Sequence, residues 1–172
     1  MDILYIIIPA YNEEENIESI IKDWYPIIEK HNGSMHSRLV IIDDGSKDRT
    51  YQIASKCADK LPLLTILTKP NGGHGSAVLF GYRYAIQSHA QYIFQTDSDG
   101  QTSPDEFEQF WAARQGYGAV IGDRNDRKDG VMRKLIEKVL LFILKLIFHV
   151  KMPDSNSPYR LMKTEIVEKY IS

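Results

Sequence analysis

Cysteine is nearly absent. Cys57 stands alone among 172 residues, so no internal disulfide can form, and the pattern fits a reducing compartment. It falls in a helical pattern, where burial rather than reactivity is expected. Charge imbalance is also absent: 21 Lys and Arg against 23 Asp and Glu leave a formal net charge of −2, which gives no global attraction to nucleic acid. No apolar run is long enough to span a membrane. The most apolar stretch, VLLFILKLIFHV over 139–150, is broken by Lys145 and falls short of the roughly 20 residues required. No signal-peptide pattern is visible, since Asp2 follows Met1 and the first apolar run stops at Pro9. There is no internal repeat and no low-complexity linker. His31, His36, His89 and His149 have no ligand spacing, so zinc is not expected.

What is present is a chain that is 43% hydrophobic, enough for one domain with a sizeable core. The apolar, β-branched run ILYIII (3–8) reads as a buried parallel strand that Pro9 ends. Ile17, Ile20, Ile21, Trp24 and Ile28 follow at helical spacing, with Pro26 placed to kink or shorten that helix. Strands are expected at 38–42, 63–68, 91–96 and 118–122. Helices are expected after DDGSKDRT, with Ser46 or Asp48 as caps, and across 76–88 and 105–115. This alternation predicts an α/β fold with a mostly parallel sheet flanked by helices. In such sheets ligands bind beyond the carboxyl ends of the strands. Four polar clusters fall at those ends: Asn12 to Glu14, Asp43-Asp44, Asn71 to Gly75, and Asp97 with Asp99.

Asp97 and Asp99 lie in FQTDSDGQTSP, directly after an apolar run. Residues i and i+2 of an extended segment point the same way, and two carboxylates so placed repel unless a cation lies between them. An oxygen donor set favours Mg²⁺ or Mn²⁺, and Gln101 adds a neutral oxygen. A polar turn accounts for such a pair equally well when it is taken alone. Asp43 and Asp44 can accept from a ribose hydroxyl or a base N–H, or cap the next helix. The loop NGGHG can admit a ligand close to its backbone but lacks the Lys-Ser/Thr of a Walker sequence. His74 within it reads as an exposed loop histidine. Arg124 and Arg133, in the charged stretch GDRNDRKDGVMRK (122–134), can bind phosphate oxygens. A helix is expected over about 132–150, with Lys134, Lys138, Lys145 and His149 in one stripe and nearly everything else apolar. Burial in the core, burial in a dimer, and a position in a membrane interface all remain open for it.

Taken in order, IIIPAYNEEENI, VIIDDGSKDRT, NGGHGSAVLFGYRYA, TDSDGQTSP, GDR and DSNSPYRLMK resemble a family 2 glycosyltransferase with the GT-A fold. Within that family the chain looks most like the polyprenyl-phosphate sugar transferases, such as dolichol-phosphate mannose synthase. The resemblance implies a nucleotide pocket lined by Pro9, Tyr11, Glu13 and Asp43, with Asp44 in support. It implies a metal on the donor diphosphate held by Asp97 and Asp99, with Gln101 as a further ligand. Arg124 and Arg133 would contact phosphate, and Asp154 matches an aspartate of the acceptor segment. The whole chain would be one catalytic domain, its nucleotide-sugar part about 1–100 and its acceptor part about 101–172. Many relatives continue further, so a C-terminally truncated chain is expected. Three positions depart from the family pattern: Pro158 for glycine, His74 where lysine or a small or apolar residue is commoner, and Glu137 where serine is common.

The reaction so implied is an inverting, metal-dependent hexosyl transfer from a UDP- or GDP-linked sugar. The favoured acceptor is a polyprenyl phosphate, met by peripheral contact with the cytoplasmic face of a membrane. A lipid phosphate is already anionic and needs cations rather than a strong base, whereas a glycan hydroxyl would need a base such as Asp154. A hydroxyl acceptor and a non-catalytic nucleotide-sugar binding module are the alternatives.

Overall fold

The structure is a computed structural model that describes residues 2–33, 35–98, 103–122, 157 and 159–171. Residues 1–120 with 159–172 form one compact unit and 121–158 a second. The expected helix over 132–150 lies outside the described residues.

The elements run β1 (Leu4–Ala10), α1 (Ile17–Lys30), β2 (Arg38–Asp43), α2 (Thr50–Ala58), β3 (Leu64–Thr68), α3 (His74–Gln87), β4 (Tyr92–Gln95), a 3₁₀ turn (Pro104–Glu106), α4 (Phe107–Ala113), β5 (Ala119–Ile121), β6 (Arg160–Lys163) and α5 (Thr164–Ile171). Among the described residues six strands form one sheet, ordered β3-β2-β1-β4-β6-β5. β1 pairs in parallel with β2 and β4, and β2 with β3; β6 runs antiparallel to β4. The expected mostly parallel α/β sheet is thus present, with an antiparallel return strand that the sequence pattern did not announce.

Because side chains alternate along a strand, β1 feeds two cores. Leu4, Ile6 and Ile8 pack with Ile17, Ile21, Trp24 and Ile28 of α1 on one face. Tyr5 and Ile7 pack with Ala77, Val78, Tyr82 and Ala85 of α3 on the other. Every residue of β1 is buried, as a central parallel strand covered on both faces requires. Trp24, Phe94, Phe107 and Tyr159 add a ring cluster on the α1 face, with Trp24 and Phe94 centroids 5.4 Å apart.

One proline behaves differently from expectation, and a second is accommodated inside its helix. Pro9 lies inside β1 rather than ending the strand. The carbonyl of Ile7 accepts from Thr96, so odd-numbered backbone groups of β1 face β4, while the carbonyl of Ala10 faces β2 and accepts from Asp44. The β4 ladder ends at the Ile7–Gln95 pair, so the N–H that Pro9 lacks has no ladder partner to lose. Pro26 lies inside α1. It stands on the exposed face of the helix, with Lys22 four residues earlier also exposed. The carbonyl that a proline cannot serve, that of Lys22, thus belongs to a residue on the solvent side of the helix. The buried stripe of Ile17, Ile20, Ile21, Trp24, Tyr25 and Ile28 holds the helix together across it.

Candidate active site

The parallel strands end at a cleft of about 400 Å³. Pro9 and Ala10 form its floor at the end of β1. Tyr11 and Glu13 follow in the next loop, Asp44 stands just past β2, Asn71 and Gly73 precede α3, His74 and Ala77 open α3, and Asp97 and Ser98 follow β4. Of the residues assigned from sequence, Pro9, Tyr11, Glu13, Asp44 and Asp97 are therefore brought together. Asp43 is buried behind the wall and does not line the cleft. Asp99, Gln101, Arg124, Arg133 and Asp154 lie outside the described residues.

Asp44 organises this edge. Its carboxylate accepts from Lys69 Nζ at 2.5 Å, from the Gly72 N–H at 3.1 Å and from the Gly73 N–H at 2.7 Å. Its own carbonyl accepts from Asn71 Nδ2 at 2.9 Å. Burial pushes the Asp44 carboxyl up, but the Lys69 ammonium and the two glycine N–H groups outweigh it, and the net shift is downward. An ionised, fully bonded carboxylate thus fixes the glycine loop in place. Gly73 has a φ of +85°, a conformation that glycine adopts without cost. Lys69 carries this arrangement, yet sequence reading passed over it. The only signal was a lysine directly after a strand and facing an acidic pair two elements away.

The other two loops are tied to each other. Ser46 Oγ accepts from the Asn12 N–H at 3.0 Å, and Asn12 Oδ1 accepts from the Lys47 N–H at 2.9 Å. Asn12 has a φ of +56°. Asp48 accepts from the Thr50 and Glu14 N–H groups at 2.9 and 3.1 Å. Neither expected residue is the cap of α2, which is Arg49: Asp48, one residue earlier, accepts from the first N–H of the helix, and Ser46 is engaged with the neighbouring loop. Asp43 accepts from the Ser46 N–H at 3.2 Å and from the Thr68 hydroxyl at 2.8 Å.

On the far wall, Asp97 is partly exposed and lies 3.7 Å from His74 Nε2. Behind it, Tyr82 donates a short hydrogen bond to Gln95 Oε1. Burial pushes the Tyr82 phenol up to about 12, against the pull of Arg160 and with a small push from Asp97. Tyr82 thus stays a neutral donor.

A carboxylate at a cleft, a clamped glycine loop and a helix N-terminus facing the same space suit an anionic ligand and a cation. The family model "Glycosyl transferase family 2" matches residues 5–171, and the chain belongs to that family. It is 27% identical over 165 residues to the undecaprenyl-phosphate 4-deoxy-4-formamido-L-arabinose transferase of Pectobacterium atrosepticum, covering 94% of this chain and 49% of that protein. The protein of the same name from Pseudomonas paraeruginosa is 25% identical, covering 100% of this chain and 50% of the relative. The chain therefore spans about half the length of these relatives. Among solved structures, the glucosyl-3-phosphoglycerate synthase of Mycobacterium tuberculosis, in complex with Mn²⁺, UDP-glucose and phosphoglyceric acid, superposes with a TM-score of 0.70. It is 21% identical and covers 96% of this chain and 57% of that one. A mannosyltransferase from Pyrobaculum calidifontis in complex with GDP-mannose and Mn²⁺ gives 0.65 at 22% identity, with 96% and 46% covered. These likenesses agree with the GT-A fold expected from the motifs. Among the described residues no helix is long and apolar enough to cross a membrane.

Proposed function

We propose that the domain transfers a sugar, with inversion, from a UDP- or GDP-linked donor to a polyprenyl phosphate, with Mg²⁺ or Mn²⁺ at Asp97, Asp99 and Gln101. The observation that carries this reading is the convergence of Asp97, the Asp44-clamped glycine loop and the N-terminus of α3 on one cleft. The names of the relatives support the acceptor, and the ligands of the two structural neighbours support the donor and the metal.

The Asp97 carboxylate suits a hard divalent cation. When bound, such a cation neutralises the charge that develops on the leaving diphosphate. The chain's own residues supply the rest. Pro9, Tyr11, Glu13 and Asp44 form the nucleoside side of the cleft, with Asp43 behind it. The first turn of α3 holds no acidic residue and has no side-chain cap, so its N–H groups are free to face a diphosphate. Arg124 and Arg133 hold phosphate, the latter the acceptor's. Under this reading Asp154 orients a cation rather than serving as a base. Residues 1–100 form the donor part and 101–172 the acceptor part. The segment 132–150 meets the cytoplasmic face of a membrane through its lysine stripe.

The test is transfer itself. The protein is incubated with UDP- and GDP-sugars and undecaprenyl phosphate in detergent, with Mg²⁺, Mn²⁺ or EDTA. Metal-dependent formation of a glycosyl phospholipid is expected. Transfer to soluble sugar hydroxyls with none to the lipid would overturn the acceptor. Metal-independent behaviour with every nucleotide would overturn the site. Flotation with anionic liposomes, lost when Lys134, Lys138 and Lys145 become Glu, checks the membrane contact.

A further inference from the structure

We propose that Tyr82 is a positioning residue for Asp97: hydrogen-bonded to Gln95 at the end of β4, its phenol fixes the strand end from which Asp97 enters the cleft. This rests on the reading that Asp97 serves the bound nucleotide sugar.

Side chains two apart on a strand share a face. Ile93 packs with Tyr82 on the α3 face of the sheet, so Gln95 follows on that face, where its Oε1 accepts from the Tyr82 hydroxyl. Both side chains belong to buried residues. Gln95 is the last residue of β4, and its ladder partner on β1 is Ile7. Gly81 brings α3 down onto that same Ile7, since a Cβ on Gly81 would collide with Ile7 Cγ2. The close approach of the helix therefore delivers the next residue, Tyr82, to the end of β4. Gln95 also stands opposite Arg160 of the antiparallel strand β6. Helix, strand and return strand thus meet at one amide. Beyond it the Thr96 N–H bonds the Ile7 carbonyl at 3.2 Å, and Asp97, next in the chain, lines the cleft.

The electrostatics fit this placement. Burial pushes the Tyr82 phenol up to about 12, Arg160 acts against that by its charge and a hydrogen bond, and the charge of Asp97 adds to it. The hydroxyl therefore stays protonated and keeps donating to Gln95, and Asp97 is near enough for its charge to be felt there. Neither Tyr82 nor Gln95 lines the cleft, so the phenol reaches a ligand only through the strand end that it holds. Breaking a buried hydrogen bond leaves donor and acceptor without compensation, so the satisfied pair resists displacement. Holding a binding side chain to within about 0.5 Å is the work of such a supporting contact.

The test titrates the full chain with UDP and GDP in the presence of Mn²⁺, by calorimetry or, for weak variants, by NMR. Each variant is studied at a temperature where urea denaturation shows it folded. Tyr82→Phe removes the hydroxyl and keeps the ring. Its affinity for the nucleotide that the parent binds should fall about tenfold. Gln95→Met, which removes the acceptor from the strand side, should reproduce the loss and carries the test if Tyr82→Phe does not fold. In the Asp97→Asn background either substitution should cost little more, because a residue that acts through Asp97 has nothing left to act on. A bond that is merely structural would not show that coupling. Equal fold losses in both backgrounds, or unchanged affinity in folded Tyr82→Phe, would overturn the proposal and leave the part of Asp97 standing. Nucleotide binding that Asp97→Asn does not weaken would overturn both.

Discussion

Lys69 and Asp44 form a nearly buried ion pair across two loops of the cleft edge, with 2.5 Å between Nζ and Oδ1 and side chains 14% and 3% exposed. The Lys69 ammonium also donates to the carbonyl of Pro70. This pair secures the entry to α3, and so the placement of Gly73 and His74 on the wall of the cleft. Removing one partner of such a pair leaves a charge without compensation. Lys69→Met should lower stability by about 3 kcal/mol, read from urea denaturation. Lys69→Met combined with Asp44→Asn should recover part of that loss. A single variant as stable as the parent would show that Gly72 and Gly73 alone hold the carboxylate.

The pH dependence of that cost has a defined sign. The folded Asp44 carboxyl lies below its ordinary 3.8, the net result of burial raising it and Lys69 with the glycine N–H groups lowering it further. A depressed carboxyl gives stability that is fully present above the unfolded value and is lost as pH falls through the folded one. The stability gap between the parent and Lys69→Met should therefore be constant near neutrality and shrink below about pH 4. Denaturation midpoints measured between pH 7 and pH 3 check this. A gap that widens on acidification would contradict the assignment.

Asp43 bears on stability as well as on ligand. Its carboxylate accepts from the Ser46 N–H and the Thr68 hydroxyl and is 3% exposed. Asp43→Ala leaves both donors without a partner and should cost roughly 1–3 kcal/mol of folding free energy. Any loss of nucleotide affinity must be measured at a temperature where the variant is still folded. A variant of parental stability that no longer binds nucleotide would give Asp43 a purely ligand-facing part.

The legible portion of this chain is the portion whose signals are local. β1 and α1 could be read because burial imposes a continuous apolar run on one and a 3.6-residue stripe on the other. The cleft could be read because a parallel sheet places every strand's carboxyl end on one edge, so Tyr11, Asp44, Gly73 and Asp97 converge although they are distant in sequence. β6 was not legible. Arg160–Lys163 is short, and it pairs with Tyr92–Gln95 across a long separation that no local pattern encodes. Pro9 misled because its missing N–H is harmless only where the neighbouring ladder has ended. Lys69 was missed for a related reason, since it acquires its part from a carboxylate just past another strand.

Helix and sheet approach closely at Gly81 on α3. A Cβ there would collide with Ile7 Cγ2 of β1 and stand 3.3 Å from Ile42 Cγ1 of β2. Both partners are completely buried, so neither can swing into solvent to make room. Gly81→Ala should therefore destabilise by about 1–3 kcal/mol as α3 is pushed off the sheet, despite the better helix propensity of alanine. Ile7→Ala, which removes the offending methyl, should cost less in the Gly81→Ala background than alone, and that coupling identifies the contact. The same displacement carries the first residue of α3 with it. Moving Gly73 and His74 on the cleft wall should weaken nucleotide binding in Gly81→Ala even where the protein remains folded. Calorimetry at low temperature on Gly81→Ala, with and without Ile7→Ala, reads this directly. Undiminished nucleotide affinity in a destabilised Gly81→Ala protein would show that the start of α3 is held by the Asp44 clamp alone, independently of how the body of the helix packs.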